Sequence, residues 1–369
     1  MKEREQILDL WRELRATGTA GVLVTVVKTL GSSYRRPGAR LLITENGKRA
    51  GSISGGCLED DVIKKAWWLS EKGAVVRRYD TTPDGDIGPS GEATGGFGLG
   101  CNGIIYLLIQ RVNGRDEPAS PMGVLETVYA TRREVLLAHV LAPAESIGSF
   151  APDAMSDQLR LRATAVGGSV VTTLDSGAEV FFETLIPPLR LLIFGAGDDA
   201  VPLTQLARHL GWQVCVFDGR AHHARREKFP EAQQVTVHDS NTSLDDFAID
   251  PLTAAVVMTH SYTQDLNFLK ALAKRPLAYL GVLGPRNRSE QLLIDAGIVA
   301  ADVPALHGPA GLDIGADGPE QVALSIIAEI QASLNGRDGG SLRQRNGSIH
   351  SRASDGRIAA SFVPGIVCA

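Results

Sequence analysis

The stretch LRLLIFGAGDDA, residues 189–200, decides the fold of the second half of this chain. An apolar run leads into Gly195-Ala196-Gly197, and a helical stretch begins where the glycines end. In a G-x-G-x-x-A turn the first glycine permits a tight bend and the second lets backbone approach a phosphate. The last small residue allows close packing of helix on strand. Asp218 ends the next apolar run, at the separation where such folds use a carboxylate to take a ribose 2′-hydroxyl. Working outward, QVCVFDGR, QQVTVHD, TAAVVMTH and LAYLGVLG repeat the alternation of short apolar runs with helical stretches. With LRLLIF they make five runs, which predict a parallel sheet covered on both faces, a Rossmann-like unit over residues 189–334. A closing helix is expected after the capping pattern Asp317-Gly-Pro-Glu320, with Val322, Leu324, Ile326, Ile327 and Ile330 along its stripe.

The ligand chemistry of this half stays open. Asp198 and Asp199 place two negative charges where a pyrophosphate would sit, and they suit the helix dipole if no phosphate binds. NAD(P) or another nucleotide on Gly195, Gly197 and Asp218 is one reading; a turn without a ligand is the other. Two more loops leave the carboxyl ends of strands, the edge where open α/β sheets bind ligands. His260 lies in one, as a hydrogen-bonded strand-end histidine or as a ligand group. Arg286 and Arg288 lie in the other, able to hold an anion bidentately or to pair with carboxylates.

The first half reads differently. Ile7, Leu8, Trp11 and Leu14 mark a helix that stops near Gly18. GVLVTVVKTL is a buried strand, Asn46-Gly47 marks a hairpin, and Leu58, Val62, Ile63, Ala66 and Leu69 mark a second helix. AVVRRYD and GIIYLLIQRV are further strands. Residues 1–112 are therefore expected to form an α+β domain. Residues 113–188 hold strand-like pieces (REVLLAHVLA, GSVVTTL, AEVFFETLI) among Pro, Gly and Ser, and read as a connecting β-rich segment. Ile186-Pro187-Pro188 is the expected boundary. The stretch 335–369, rich in Gly, Ser and Arg, reads as a flexible tail.

The chain has 369 residues, a net charge of −5 and four cysteines. No basic field points to nucleic acid, and no apolar stretch approaches the roughly 20 residues that span a bilayer. Four scattered cysteines do not make a disulfide framework, so a cytoplasmic setting with reduced thiols is expected. Cys215 sits inside an apolar strand and Cys368 in the tail.

Cys57 and Cys101 stand apart. GSISGGCLEDDV, residues 51–62, sets Cys57 behind two glycines at the mouth of a helix. There, free N–H groups lower a thiol pKa and favour a thiolate nucleophile or soft-metal ligand. Glu59, Asp60 and Asp61 oppose that shift. A small buried hydrophobe at a helix start is the alternative. Gly95-Gly-Phe-Gly-Leu-Gly100-Cys101-Asn102-Gly103 repeats the theme, and two such cysteines point to one shared site.

RRPGARLLIT, GSISGGCLEDDV and GLGCNG resemble the N-terminal domain of the XdhC/CoxI family, accessory factors of molybdenum hydroxylases. LLIFGAGD, VMTH, YLGVLGPRNR and GLDIGADGPEQVALSIIAEI resemble that family's C-terminal Rossmann domain. The resemblance implies a protein that binds molybdenum cofactor, works with a cysteine desulfurase on its sulfuration, and delivers it to an apo molybdenum hydroxylase. It implies Gly55, Gly56 and Cys57 as the cofactor-handling residues, with Cys57 reactive and metal-binding and Cys101 close by. A homodimer is expected, as is a maturation chaperone rather than a turnover enzyme. The alternatives are an NAD(P)- or nucleotide-dependent oxidoreductase or transferase, and a scaffold whose Rossmann domain holds no ligand and only docks a partner.

Overall fold

The computed structural model describes residues 2–31, 33–80, 103–115, 120–150, 169–174, 176–245 and 247–344. The chain divides at Pro187–Pro188 into two compact units.

In the first unit, α1 (Lys2–Thr17) buries Ile7, Leu8, Trp11 and Leu14, the stripe its spacing predicts. Five strands follow: β1 (Ala20–Gly31), β2 (Arg40–Thr44), β3 (Arg49–Gly51), β4 (Val75–Asp80) and β5 (Gly103–Asn113), with α2 (Cys57–Leu69) between β3 and β4. They form an antiparallel sheet in the order β3-β2-β1-β5-β4, and the turn at Asn46-Gly47 joins β2 to β3 as expected. Alternation sorts the side chains of β1 between two faces. Val22, Val24 and Val26 pack with Leu58, Val62 and Ala66 of α2, while Leu23 packs with the α1 stripe.

Residues 113–188 supply α3 (Pro121–Thr131), β6 (Val135–Ala142), β7 (Gly148–Phe150), β8 (Ser169–Thr173) and β9 (Glu179–Leu185). The strands pair antiparallel in the order β7-β6-β9-β8. α3, capped by Ser120 Oγ accepting from Gly123 N–H at 3.1 Å, was not expected from the sequence. Its Met122, Leu125 and Val128 share one core with α1, Leu137 and Leu185, so the expected connecting segment is built into the same compact unit as residues 3–112. A buried polar knot helps to hold it there. Glu183 of β9 pairs with Arg40 of β2 and lies 3.0 Å from His139 Nε2 of β6, all three below 5% exposed.

The second unit is a six-stranded parallel sheet in the order β12-β11-β10-β13-β14-β15. Its elements are β10 (Arg190–Phe194), α4 (Ala200–His209), β11 (Gln213–Asp218), β12 (Gln234–Val237), β13 (Thr253–Val257), α5 (Tyr262–Leu272), β14 (Tyr279–Val282), α6 (Arg286–Ala296), β15 (Leu306–His307) and α7 (Pro319–Leu334). The five apolar runs are the first five strands; the sixth, two residues long, left no pattern to read. Both faces are buried, as continuous apolar strands require. Leu191, Ile193, Val214, Val216 and Val256 meet α4 and α7 on one face. Leu192, Phe194, Cys215, Phe217 and Val257 meet α5 and α6 on the other. Cys215 is thus core, as expected. The cap of α7 differs in detail: Gly318 is the N-cap, and Gln321 Oε1 accepts from the N–H groups of Asp317 and Gly318 at 2.9 and 3.3 Å.

Candidate functional site

The loop before α2 is held by one carboxylate. Glu59 Oε1, in the first turn of the helix, accepts from Ser52 Oγ at 2.6 Å, Ile53 N–H at 2.9 Å and Ser54 N–H at 3.0 Å. Ser54 Oγ in turn accepts from Gly56 N–H at 3.3 Å. The chain then turns through Gly56 at φ 139°, a region that favours glycine, and enters α2 at Cys57. A side chain at Gly56 would meet no atom of the described residues within 4 Å. A side chain at Gly55 would rest 3.8 Å from the ring of Tyr34. The acidic run is partly neutralised by its neighbours: Asp61 pairs with Lys65 at 2.7 Å, and Asp60 lies 3.8 Å from Arg49. Cys101, and with it the expected Cys57–Cys101 site, lies outside the described residues, as does Cys368.

In the second unit the strand order reverses between β10 and β13, so the loops after these strands flank the crevice where such sheets take ligands. Gly195, at φ 122°, passes so close to the Met258 carbonyl that any side chain would collide with it. Two carboxylates of the turn, Asp198 and Asp199, and a third beside it, Asp218, are each already partnered. Asp218, buried at the end of β11, accepts from Ala196 N–H at 2.8 Å and takes both ends of the Arg220 guanidinium at 2.9 Å. Burial pushes its carboxyl up, but the Arg220 side chain and the two backbone N–H bonds outweigh this and hold it at about 2. Asp198 pairs with Lys228 at 2.7 Å, and the same ammonium donates to the Ala196 carbonyl at 2.8 Å. Asp199 Oδ2 lies 2.8 Å from His260 Nε2. Its Oδ1 is buried without a partner among the described residues and stands where a side chain on Gly197 would have to go.

His260 holds this position from a left-handed backbone, φ 61°. Arg288 Nη2 donates to the buried Asp265 at 2.6 Å and its guanidinium lies over the Tyr262 ring. Asp265 Oδ1 accepts from Thr259, so this pair ties the start of α6 to the loop that carries His260. Arg286 is exposed and pairs with Glu290 at 2.9 Å. The two guanidiniums expected to grip one anion thus each hold a different carboxylate.

Four participants escaped the sequence reading. Arg220 and Lys228 follow Asp218 in a basic stretch, GRAHHARREK, which was the available signal. Glu59 was read only as a charge opposing the thiol, and Tyr34 was not singled out. Among the described residues, no group of three or more His, Cys, Asp or Glu side chains is placed to hold a metal. No helix among them is long and apolar enough to cross a membrane.

Comparison with known proteins places these features in context. The model of the XdhC and CoxI family matches residues 14–80, and that of the XdhC Rossmann domain matches residues 191–330. The chain is 33% identical to a protein of Bacillus subtilis (strain 168) described as a probable xanthine dehydrogenase subunit, over 84% of this chain and 92% of that protein. It is 25% identical to the molybdenum cofactor insertion chaperone PaoD of Escherichia coli (strain K12), over 89% and 88% of the two chains. A crystal structure described as a xanthine dehydrogenase from Bacillus halodurans superposes with a TM-score of 0.69 at 29% identity, covering 91% of this chain and 98% of that one.

Proposed function

The chain belongs to the XdhC and CoxI family, and from that premise we propose that it binds molybdenum cofactor and serves the maturation of a xanthine dehydrogenase-type molybdenum hydroxylase. Gly55, Gly56 and Cys57 would hold the cofactor. The observation that carries this reading is the turn at Gly56, where a side chain would meet no atom of the described residues, immediately before a cysteine at a helix start. Backbone without side chains admits a bulky group there, and a thiolate is a ligand suited to a soft metal centre. The cofactor supplies the molybdenum and its exchangeable oxo or sulfido ligand. This chain supplies a cradle stiffened by Glu59 and the sulfur of Cys57. A cysteine desulfurase as the source of sulfur, an apo-hydroxylase as the recipient and a homodimer as the working form complete the proposal.

The similarity to PaoD, whose name describes insertion of this cofactor, supports a carrier role over a turnover enzyme. The rival, hydride transfer from NAD(P) on the Rossmann turn, gains no support from the carboxylates at and beside the turn, which are already paired. Gly195, Gly197, Asp218, His260, Arg286 and Arg288 are better placed as a secondary edge whose charges must be released before a ligand enters.

Anaerobic purification followed by molybdenum and pterin analysis tests the proposal. We expect both to remain with the unaltered chain and to be lost from Cys57→Ser, which keeps size but removes the soft ligand. Equal retention by the two proteins, with equal activation of an apo-hydroxylase, would overturn it.

A further inference from the structure

The loop between β1 and β2 forms a wall beside Gly55 that the family reading leaves without a role. It is fixed from several sides. Ser33 Oγ donates to the Arg35 carbonyl at 2.9 Å, and Arg35 is tied to Glu3 of α1, its Nη1 donating at 3.0 Å. Gly38 N–H donates to the Val26 carbonyl at 2.7 Å, and the Gly38 carbonyl accepts from Arg40 Nη1 at 2.9 Å, so the buried Arg40–Glu183 pair anchors the far end. With Arg35 drawn inward, its neighbours Tyr34 and Arg36 are left in solvent. Tyr34 is 70% exposed, although its ring carbons stand within 4 Å of where a Gly55 side chain would begin. A large aromatic side chain this exposed, on a loop this firmly held, covers no core.

We propose that Tyr34 is a stacking platform for the planar heterocycle of the ligand carried at Gly55–Cys57, a pterin ring system. This rests on the cofactor reading given above. One edge of the ring rests near Gly55, so the exposed remainder of the ring stands beside the turn through Gly56, where a side chain would meet no atom of the described residues. An aromatic face recognises a flat, polar bicycle through dispersion and electrostatics without needing a particular hydrogen-bond pattern. Arg36 is exposed and has no side-chain partner among the described residues, so the same loop carries a cation two residues from the ring. Recognition would then be divided. Cys57 takes the metal, and Tyr34 takes the organic ring whether or not metal is present.

That division makes the inference testable apart from its premise. The probe is neopterin monophosphate, a fluorescent pterin without metal, titrated into the full chain and followed by fluorescence quenching. We expect Tyr34→Ala to bind it about tenfold more weakly, the usual effect of losing one stacking aromatic. Tyr34→Phe, which keeps the ring, should stay within about twofold of the unaltered chain, and Cys57→Ser should bind the metal-free probe normally. Far-UV circular dichroism and the thermal unfolding midpoint establish that Tyr34→Ala is folded, as expected for an exposed side chain. If the folded Tyr34→Ala protein binds as tightly as the unaltered chain, stacking is overturned while the Cys57 reading stands. If the unaltered chain does not bind the pterin at all, stacking is overturned as well, and the Cys57 reading is decided by molybdenum retention.

Discussion

Asp199 and His260 meet across the reversal point of the parallel sheet, 2.8 Å apart, and close the turn that the glycine pattern marks for a phosphate. The histidine adopts a left-handed conformation uncommon outside glycine, and the carboxylate keeps one oxygen buried and, among the described residues, unpaired. A pyrophosphate entering here must displace a carboxylate from each neighbouring cation and bring its own negative charge beside Asp198, Asp199 and Asp218.

Dinucleotide binding is therefore expected to be poor. Titration with NADH or NADPH, followed by nicotinamide fluorescence, should show no saturation below about 1 mM, where binding is worth only about 4 kcal/mol. Asp199→Ser, which shortens the side chain and removes the charge, should tighten it. Micromolar binding by the unaltered chain, with reduction of an added acceptor, would restore the oxidoreductase reading.

Glu59 should matter to the Gly51–Cys57 loop more than its surface chemistry suggests. Glu59→Ala leaves the N–H groups of Ile53 and Ser54 without their acceptor, a loss of about 1–3 kcal/mol in a partly buried setting. We expect lower urea stability together with reduced molybdenum retention, even though Cys57 is untouched. Unchanged retention would show that the loop keeps its shape without this carboxylate.

The pair Asp218–Arg220 predicts a pH signature. The Asp218 carboxyl is held at about 2 in the folded chain, below its unfolded value of about 3.9, so its contribution is complete above the unfolded value. That contribution is lost as pH falls from about 4 towards 2. Arg220→Gln should therefore be less stable than the unaltered chain at pH 7, and the gap should close on acidification through that window. Urea unfolding at pH 7, 5, 4 and 3 measures it; a gap independent of pH would mean that the guanidinium acts by packing alone.

The buried knot in the first unit carries the largest single-residue effect we expect. Arg40→Met leaves the Glu183 carboxylate, 3% exposed, facing His139 without its cation. Burial and then the Arg40 charge push His139 well below its usual pKa, so it is neutral near pH 7 in the intact protein. Stripping one partner from a buried ion pair costs about 3–5 kcal/mol. Chemical denaturation should show a loss of that size; less than about 1 kcal/mol would mean that water reaches Glu183 and replaces the lost contact.

The Rossmann unit was legible because its strands are continuous apolar runs, buried on both faces and spaced by helices. Leu306–His307 was not, because two residues carry no period. α3 was hidden for a related reason: its eleven residues begin at Pro121 in a stretch whose neighbours read as strand. At the sites, the residues with unusual backbone needs stood out, namely Gly56 and Gly195. Their partners did not. Arg288 reaches Asp265, and Lys228 reaches Asp198, only because separate loops converge at one sheet edge. Pairings of that kind are set by tertiary placement, which periodicity and local spacing do not encode.

Strand β5 also fixes the order in which the first unit is completed. It pairs with β1 from Ala20↔Asn113 to Gly31↔Gly103, and it is the strand through which β4 joins the sheet. During synthesis the hairpin of β2 and β3, the Gly51–Cys57 loop and the whole of α2 emerge before their sheet has its second central strand. Closure across so long a span of chain is slow compared with local contacts. The turn at Gly56 acquires its finished support only after Asn113 has cleared the ribosome; on the proposed function, loading with cofactor would then follow translation of this unit rather than accompany it.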